Sequence, residues 1–186
     1  MKSLPRKFYS RDTVTVAKDL LGKKIVRKIG NQTISGIITE TEAYRHKDDP
    51  ASHAFRRKTE RNKAMFEEVG RAYVYFTYGM YFCFNIVARS PQEEAGAVLI
   101  RAIHPERGLE IMKKNRNKSA DKNLVNGPAK LTQALKITKK QYGLDLTCNR
   151  ELFIIKGLEK PQHIHANPRI GIKTALKNLW NFKIEI

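Results

Sequence analysis

Cysteine is nearly missing from this chain: among 186 residues only Cys83 and Cys148 occur, with no CxxC pair and no Cys/His cluster at ligand spacing. A zinc or iron–sulfur centre is therefore not expected, and no cofactor is. So few thiols in a basic domain fit a reducing compartment. Long apolar runs are missing as well: the opening residues MKSLPRKFYSRD lack the apolar stretch of a secretory signal, and nothing approaches a membrane span. A soluble intracellular protein is expected. Internal repeats, low-complexity stretches, linker-like shifts and a Gly-rich cofactor loop are all absent, which excludes repeat arrays and argues against a nucleotide-handling transferase. The length suits one domain over residues 1–186. No basic tail of nuclear-import character is present, so a prokaryotic cytoplasm is the expected location, with a nucleus the place in a eukaryote.

Acidic residues are the remaining scarcity. Thirty-six Lys and Arg stand against 18 Asp and Glu, a formal net charge of +18, while hydrophobic content of 41% is ordinary for a folded domain. The excess is a surface property that points to a polyanion: nucleic acid first, an anionic membrane second, general solubility as the bland account. The cations gather at Lys2 to Arg11, Lys23 to Lys28, Arg56 to Arg61 and Lys113 to Lys122, which suits a broad face better than a tail.

What is present in abundance is aromatic and β-branched residues between Tyr73 and Asn85, broken only at Gly79-Met80. The pattern predicts a β-hairpin with a two-residue type II′ turn. Its tip carries Tyr78, Met80 and Tyr81, apolar bodies on a cationic chain. Such a wedge suits entry into a base stack; a tip capped by the rest of the core or by a partner protein is the competing account.

Elsewhere, Asp12 is expected to cap a helix from Thr13 to Leu21, stopped by Gly22. Residues 23–30 read as a short strand or turn bearing cations, an edge strand protected by lysines being the bland account. Residues 34–44 alternate as a strand, with Ile38, Glu40, Glu42 and Tyr44 on one face and Ile37, Thr39, Thr41 and Ala43 on the other. A carboxylate held beside a cleft can act as general base toward water, though acids on a solvated face need no such account. Residues 45–58 form a long loop, and Thr59 is expected to cap a helix through Glu68. Ala97–Ile103 reads as an interior strand interrupted by Arg101, which is either at an edge or buried and paired with a carboxylate, Glu42 being an attractive partner. His104-Pro105 is expected to start a helix to Lys114, a polar loop spans 115–123, and Pro128 opens another helix. Residues 152–155 and 179–186 read as strands. With no regular βαβ beat, the fold class is α+β, a curved mixed or antiparallel sheet with surrounding helices and a protruding hairpin.

The run Glu40-Thr-Glu-Ala-Tyr44, then His53, Arg61-Asn62, Met65-Phe66, Tyr73 to Asn85, Leu99 to Ala102, Asn126 to Leu135 and Pro168-Arg-Ile-Gly-Ile172 resembles, in order, the alkyladenine (3-methyladenine) DNA glycosylases. The resemblance implies a monomeric, monofunctional DNA glycosylase acting on double-stranded DNA with a damaged purine, in base excision repair. It implies that Glu42 is the general base, that Arg101 and the Ile172 carbonyl hold the attacking water, that Tyr44, His53 and Tyr75 clasp the flipped base, that Asn85 screens exocyclic groups and that Tyr78 fills the vacated stack. Alkylated purines are the implied substrates, with hypoxanthine and ethenoadenine as extensions. A purine alkylated on a ring nitrogen is cationic, which favours tyrosine faces and improves the leaving group. One conflict follows from the expected turn. A two-residue tip pairs Tyr75 with Phe84 and Val74 with Asn85, placing Asn85 on the opposite face from Tyr75.

Overall fold

The computed structural model describes residues 2–118, 120, 123–159, 161 and 163–186. Residues 119, 121 and 122 of the expected polar loop and basic cluster lie outside these. Among the described residues eight strands form one sheet, six of them in the order β3 (Ala72–Thr77), β4 (Tyr81–Val87), β5 (Ala97–Arg107), β2 (Gln32–Tyr44), β1 (Lys24–Ile29) and β6 (Leu152–Ile155). Beside β2, where β1 leaves it, lies β8 (Asn181–Lys183), which in turn pairs with β7 (His165–Asn167). Every strand pairing is antiparallel. No helix among the described residues is long and apolar enough to cross a membrane.

The helices are short: α1 (Arg6–Tyr9), α2 (Thr13–Leu20), α3 (Leu109–Arg116) and α4 (Pro128–Ala134). Asp12 caps α2 as expected, its side chain accepting from the Thr15 N–H at 2.9 Å. Val16, Ala17 and Leu20 of α2, with Leu131 and Ala134 of α4, pack on one face of the sheet against Ile38, Ala43, Val74, Phe84, Val98, Ile100 and Phe182. That burial drives the fold and leaves the other face of the sheet for chemistry.

Two paired irregularities decide which side chains reach that other face. Between Ile38 and Glu40 the strand β2 advances two residues while β5 advances one, and between Glu40 and Thr41 the reverse holds. Thr39 and Arg101 are thus the extra residues of two β-bulges that cancel in register. The first bulge corrects the alternation expected for β2: Ile38 joins Ala43 in the core, and only Glu40, Glu42 and Tyr44 keep the face assigned to them. The second aims Arg101 at those acids.

Other expectations are corrected too. The strand β5 runs through His104 and Pro105 to Arg107, and α3 begins only at Leu109. Pro105 is tolerated because it sits at a further register shift, where Glu106 is the extra residue between the pairs Gly36–Pro105 and Ser35–Arg107, and because β4 pairs with β5 only over residues 97–99. The expected helix 59–68 shrinks to a 3-10 turn at Lys63–Phe66. There the Asn62 side chain ties the preceding loop instead, donating to the carbonyls of His53 (2.7 Å) and Arg57 (2.9 Å) and accepting from the Thr59 N–H. The strand β1 is interior, flanked by β2 and β6, not an edge.

Candidate active site

A single row of directly opposed residues crosses five strands: Tyr73 on β3, Asn85 on β4, Leu99 on β5, Glu42 on β2 and Asn181 on β8. Opposed residues share a sheet face, so register alone brings side chains far apart in sequence into one line. This row settles the hairpin conflict. Its connection has three residues, Tyr78 to Met80, so Thr77 pairs with Tyr81, Tyr75 with Cys83 and Tyr73 with Asn85. Tyr75 and Asn85 therefore share a face, and the expected type II′ turn is replaced by a tip with positive φ at both Tyr78 (51°) and Gly79 (66°). Glycine takes that conformation freely, whereas for tyrosine it costs about 1–2 kcal/mol.

Above this face lies a cavity of about 380 Å³, near the lower end of the roughly 300–1,000 Å³ usual for small-molecule sites. Tyr44, His53, Tyr75, Asn85, Arg101 and Ile172 all line it, and Tyr78 stands at its lip. Tyr78 is 85% exposed and Met80 63%. The apolar tip is thus in solvent rather than in the core.

Glu42 sits behind the cavity wall with no exposed surface. Its Oε2 accepts from the Tyr44 hydroxyl at 2.8 Å and from Arg101 Nη1 at 3.2 Å. Its Oε1 accepts from the Ile170 N–H at 2.8 Å and from Asn181 Nδ2 at 3.1 Å. These four donors match the roughly four lone-pair positions of a carboxylate. Arg101 also gives its Nε to Glu40 Oε1 at 2.9 Å, so the arginine that interrupts an apolar strand is doubly paired. Ile172 lies in the same segment as Ile170, whose N–H meets the carboxylate, and among the described residues none donates a hydrogen bond to the Ile172 carbonyl.

The aromatic wall is held from behind. His53 Nδ1 lies 2.8 Å from the Tyr73 hydroxyl, and its ring stands edge-on to Tyr75 at 4.7 Å between centroids. Burial, and then the charge of Arg61, lower the pKa of His53, so the imidazole is neutral near neutral pH. Burial pushes the Tyr75 phenol well up, assisted by the Cys83 thiol beside it. Burial and then the Glu42 charge do the same to Tyr44, which stays a hydroxyl donor. The guanidinium of Arg169 lies 4.6 Å from the Tyr44 ring centre and covers one of its faces.

Sequence reasoning did not single out Asn181, Asp49 or Arg169. Asn181 had one readable sign, a polar residue between Trp180 and Phe182 in an alternating strand. Asp49 and Arg169 form a fully buried ion pair that anchors the segment carrying Ile170.

The family model for methylpurine-DNA glycosylase (MPG) matches residues 7–186. A protein of Carboxydothermus hydrogenoformans is 50% identical over 183 residues, covering 98% of this chain and 95% of its own length. One of Clostridium novyi is 46% identical, covering 100% and 96%, and one of Clostridium acetobutylicum is 43% identical, covering 98% and 94%. All three bear the name "Putative 3-methyladenine DNA glycosylase". With the whole described sheet, its cavity and its buried carboxylate inside the matched span, the chain belongs to the methylpurine-DNA glycosylase family, hydrolases of N-glycosyl bonds in DNA.

Proposed function

We propose that this chain, acting as one domain and as a monomer, removes 3-methyladenine and related alkylated purines from double-stranded DNA in base excision repair, with water as nucleophile. The observation that carries the reading is the fully buried Glu42, bonded to Tyr44, Arg101 and Ile170, three residues that line one aromatic cavity. A base inside a duplex is out of reach, so the nucleotide must leave the stack; Tyr78 at the exposed tip fills the gap it leaves. The extruded purine enters the cavity against Tyr44, His53 and Tyr75, and the electron-rich rings of the two tyrosines attract a cationic base by about 0.5–2 kcal/mol each. The neutral imidazole of His53 adds no opposing charge. Asn85 donates its amide to the Tyr73 carbonyl at 3.1 Å and so meets the purine edge in a fixed orientation.

Because the four acceptor positions of Glu42 are filled, the attacking water must replace a donor. The Tyr44 hydroxyl yields most cheaply, since its proton turns about a single C–O bond while the other three donors are fixed by backbone, guanidinium plane or amide plane. Water then loses its proton to Glu42 as it attacks C1′ and the bond from C1′ to the purine nitrogen breaks, its electron pair leaving with the base and neutralising an alkylated purine; Arg101 and the Ile172 carbonyl complete the cradle of the water. The carboxylate also offsets the positive charge that builds on the sugar. Among the described residues lining the cavity none is lysine, in keeping with base release without strand cleavage. Hypoxanthine and ethenoadenine are further substrates on this reading.

The test is a panel of duplexes, each holding 3-methyladenine, hypoxanthine or ethenoadenine, scored for free base and then for alkali-labile abasic sites. Release of 3-methyladenine with intact strands before alkali supports the reading. Tight, salt-sensitive binding without release would instead mark a non-catalytic module stacking on single-stranded bases.

A further inference from the structure

We propose that Asn181 and Glu40 are positioning residues for the hydrolysis, holding Glu42 and Arg101 in the one rotation that turns Glu42 Oε2 toward Tyr44 and Arg101 of the cavity wall. The proposal rests on the reading of Glu42 as the base. Neither Asn181 nor Glu40 lines the cavity, so each acts through another residue. The geometry is a closed circuit. Asn181 Nδ2 donates to Glu40 Oε1 at 2.8 Å and to Glu42 Oε1 at 3.1 Å, and Arg101 spans the same two acids, Nε to Glu40 Oε1 at 2.9 Å and Nη1 to Glu42 Oε2 at 3.2 Å.

Two carboxylates meeting one guanidinium leave an excess negative charge in a place nearly shut off from water, Asn181 being 3% exposed. An amide N–H₂ between them compensates part of it by donating one proton to each acid. It also divides the duties of the Glu42 oxygens. Oε1 is tied by Asn181 and the Ile170 N–H, leaving Oε2 as the oxygen whose partner, the Tyr44 hydroxyl, can yield to water. Glu40 performs the matching task for Arg101: by taking Nε it fixes the guanidinium plane so that Nη1 reaches Glu42. Register supplies the rest, for Asn181 is directly opposite Glu42 and the bulge at Arg101 turns its side chain to the same face.

The test compares Asn181→Ala, Asn181→Ser, Glu40→Ala and Glu40→Gln with Glu42→Gln. Three quantities are measured: the saturating single-turnover rate of 3-methyladenine release, lesion-DNA affinity and the thermal midpoint. Asn181→Ser keeps a small polar group that does not span both acids, and it serves if the alanine variant fails to fold. Expected is a fall in the saturating rate of about 10- to 100-fold for both Asn181 variants and for Glu40→Ala, with DNA affinity within about twofold. Glu40→Gln, whose carbonyl still accepts from Arg101 and Asn181, recovers most of the rate. A wild-type rate in folded Asn181→Ser, or a loss that follows DNA affinity or folded fraction alone, overturns the positioning role. If Glu42→Gln itself keeps the full rate, the underlying reading of the base fails instead, so the two failures are told apart.

Discussion

Arg169 and Asp49 meet in a two-point fork, Nη1 to Oδ2 and Nη2 to Oδ1 both at 2.6 Å, with neither side chain exposed to solvent. Arg169 Nη1 also reaches the Ala43 carbonyl at 2.9 Å, one residue from Glu42. The clamp thereby pins the stretch whose next residue, Ile170, hands its N–H to the Glu42 carboxylate. Removing one member of a buried pair strands the other charge, at about 3–5 kcal/mol. Asp49→Ala should lose about that much in denaturant unfolding, and Asp49→Leu combined with Arg169→Met should lose clearly less. A loss below about 1 kcal/mol in the single variant would mean that the pair is not the anchor described.

Tyr78 is nearly free of the protein and holds a left-handed backbone conformation. Tyr78→Gly should leave the thermal midpoint unchanged or slightly raised, since the strain of the non-glycine residue is relieved. Base release from a duplex should nonetheless fall, and the deficit should narrow when the lesion sits in an unpaired bubble. Equal deficits in duplex and bubble would remove the wedge role.

His53 predicts a charge-dependent pH response. Its pKa is held below the ordinary value by burial and then by Arg61. The unfolded chain therefore takes the proton more readily, so the contribution of His53 to stability is complete above about pH 6.5 and is lost as pH falls toward its folded value. In the cavity the same protonation puts a positive charge beside a cationic base. The ratio of single-turnover efficiency on 3-methyladenine to that on neutral hypoxanthine should fall as the pH is lowered from neutral through the range where folded His53 takes its proton, and His53→Gln should flatten the change. A ratio that is constant in the wild type would show that His53 does not meet the base.

The parts of this structure legible in sequence were those governed by local pattern. The aromatic hairpin, the Asp12 cap and Pro128 in the first turn of α4 all followed from residue type and spacing, and the pairing of Arg101 with Glu42 was one of the two readings its strand allowed. The bulges at Thr39 and Arg101 left no such mark, because an extra residue in one strand is visible only against its partner. The hairpin tip was misjudged for a related reason: Gly79 accommodates a positive φ in several turns, and only the pairing of Thr77 with Tyr81 shows which one forms. Asn181 and the Asp49–Arg169 fork depend on contacts across more than a hundred residues of chain, beyond any local pattern.

The most direct measurement is the single-turnover release of 3-methyladenine from duplex DNA by Glu42→Gln beside the wild type, both shown to be folded and to bind the lesion duplex. With the carboxylate replaced by an amide that takes no proton from water, the rate should fall by about 10²- to 10⁴-fold while binding persists. A rate equal to that of the wild type would contradict the buried carboxylate as the base.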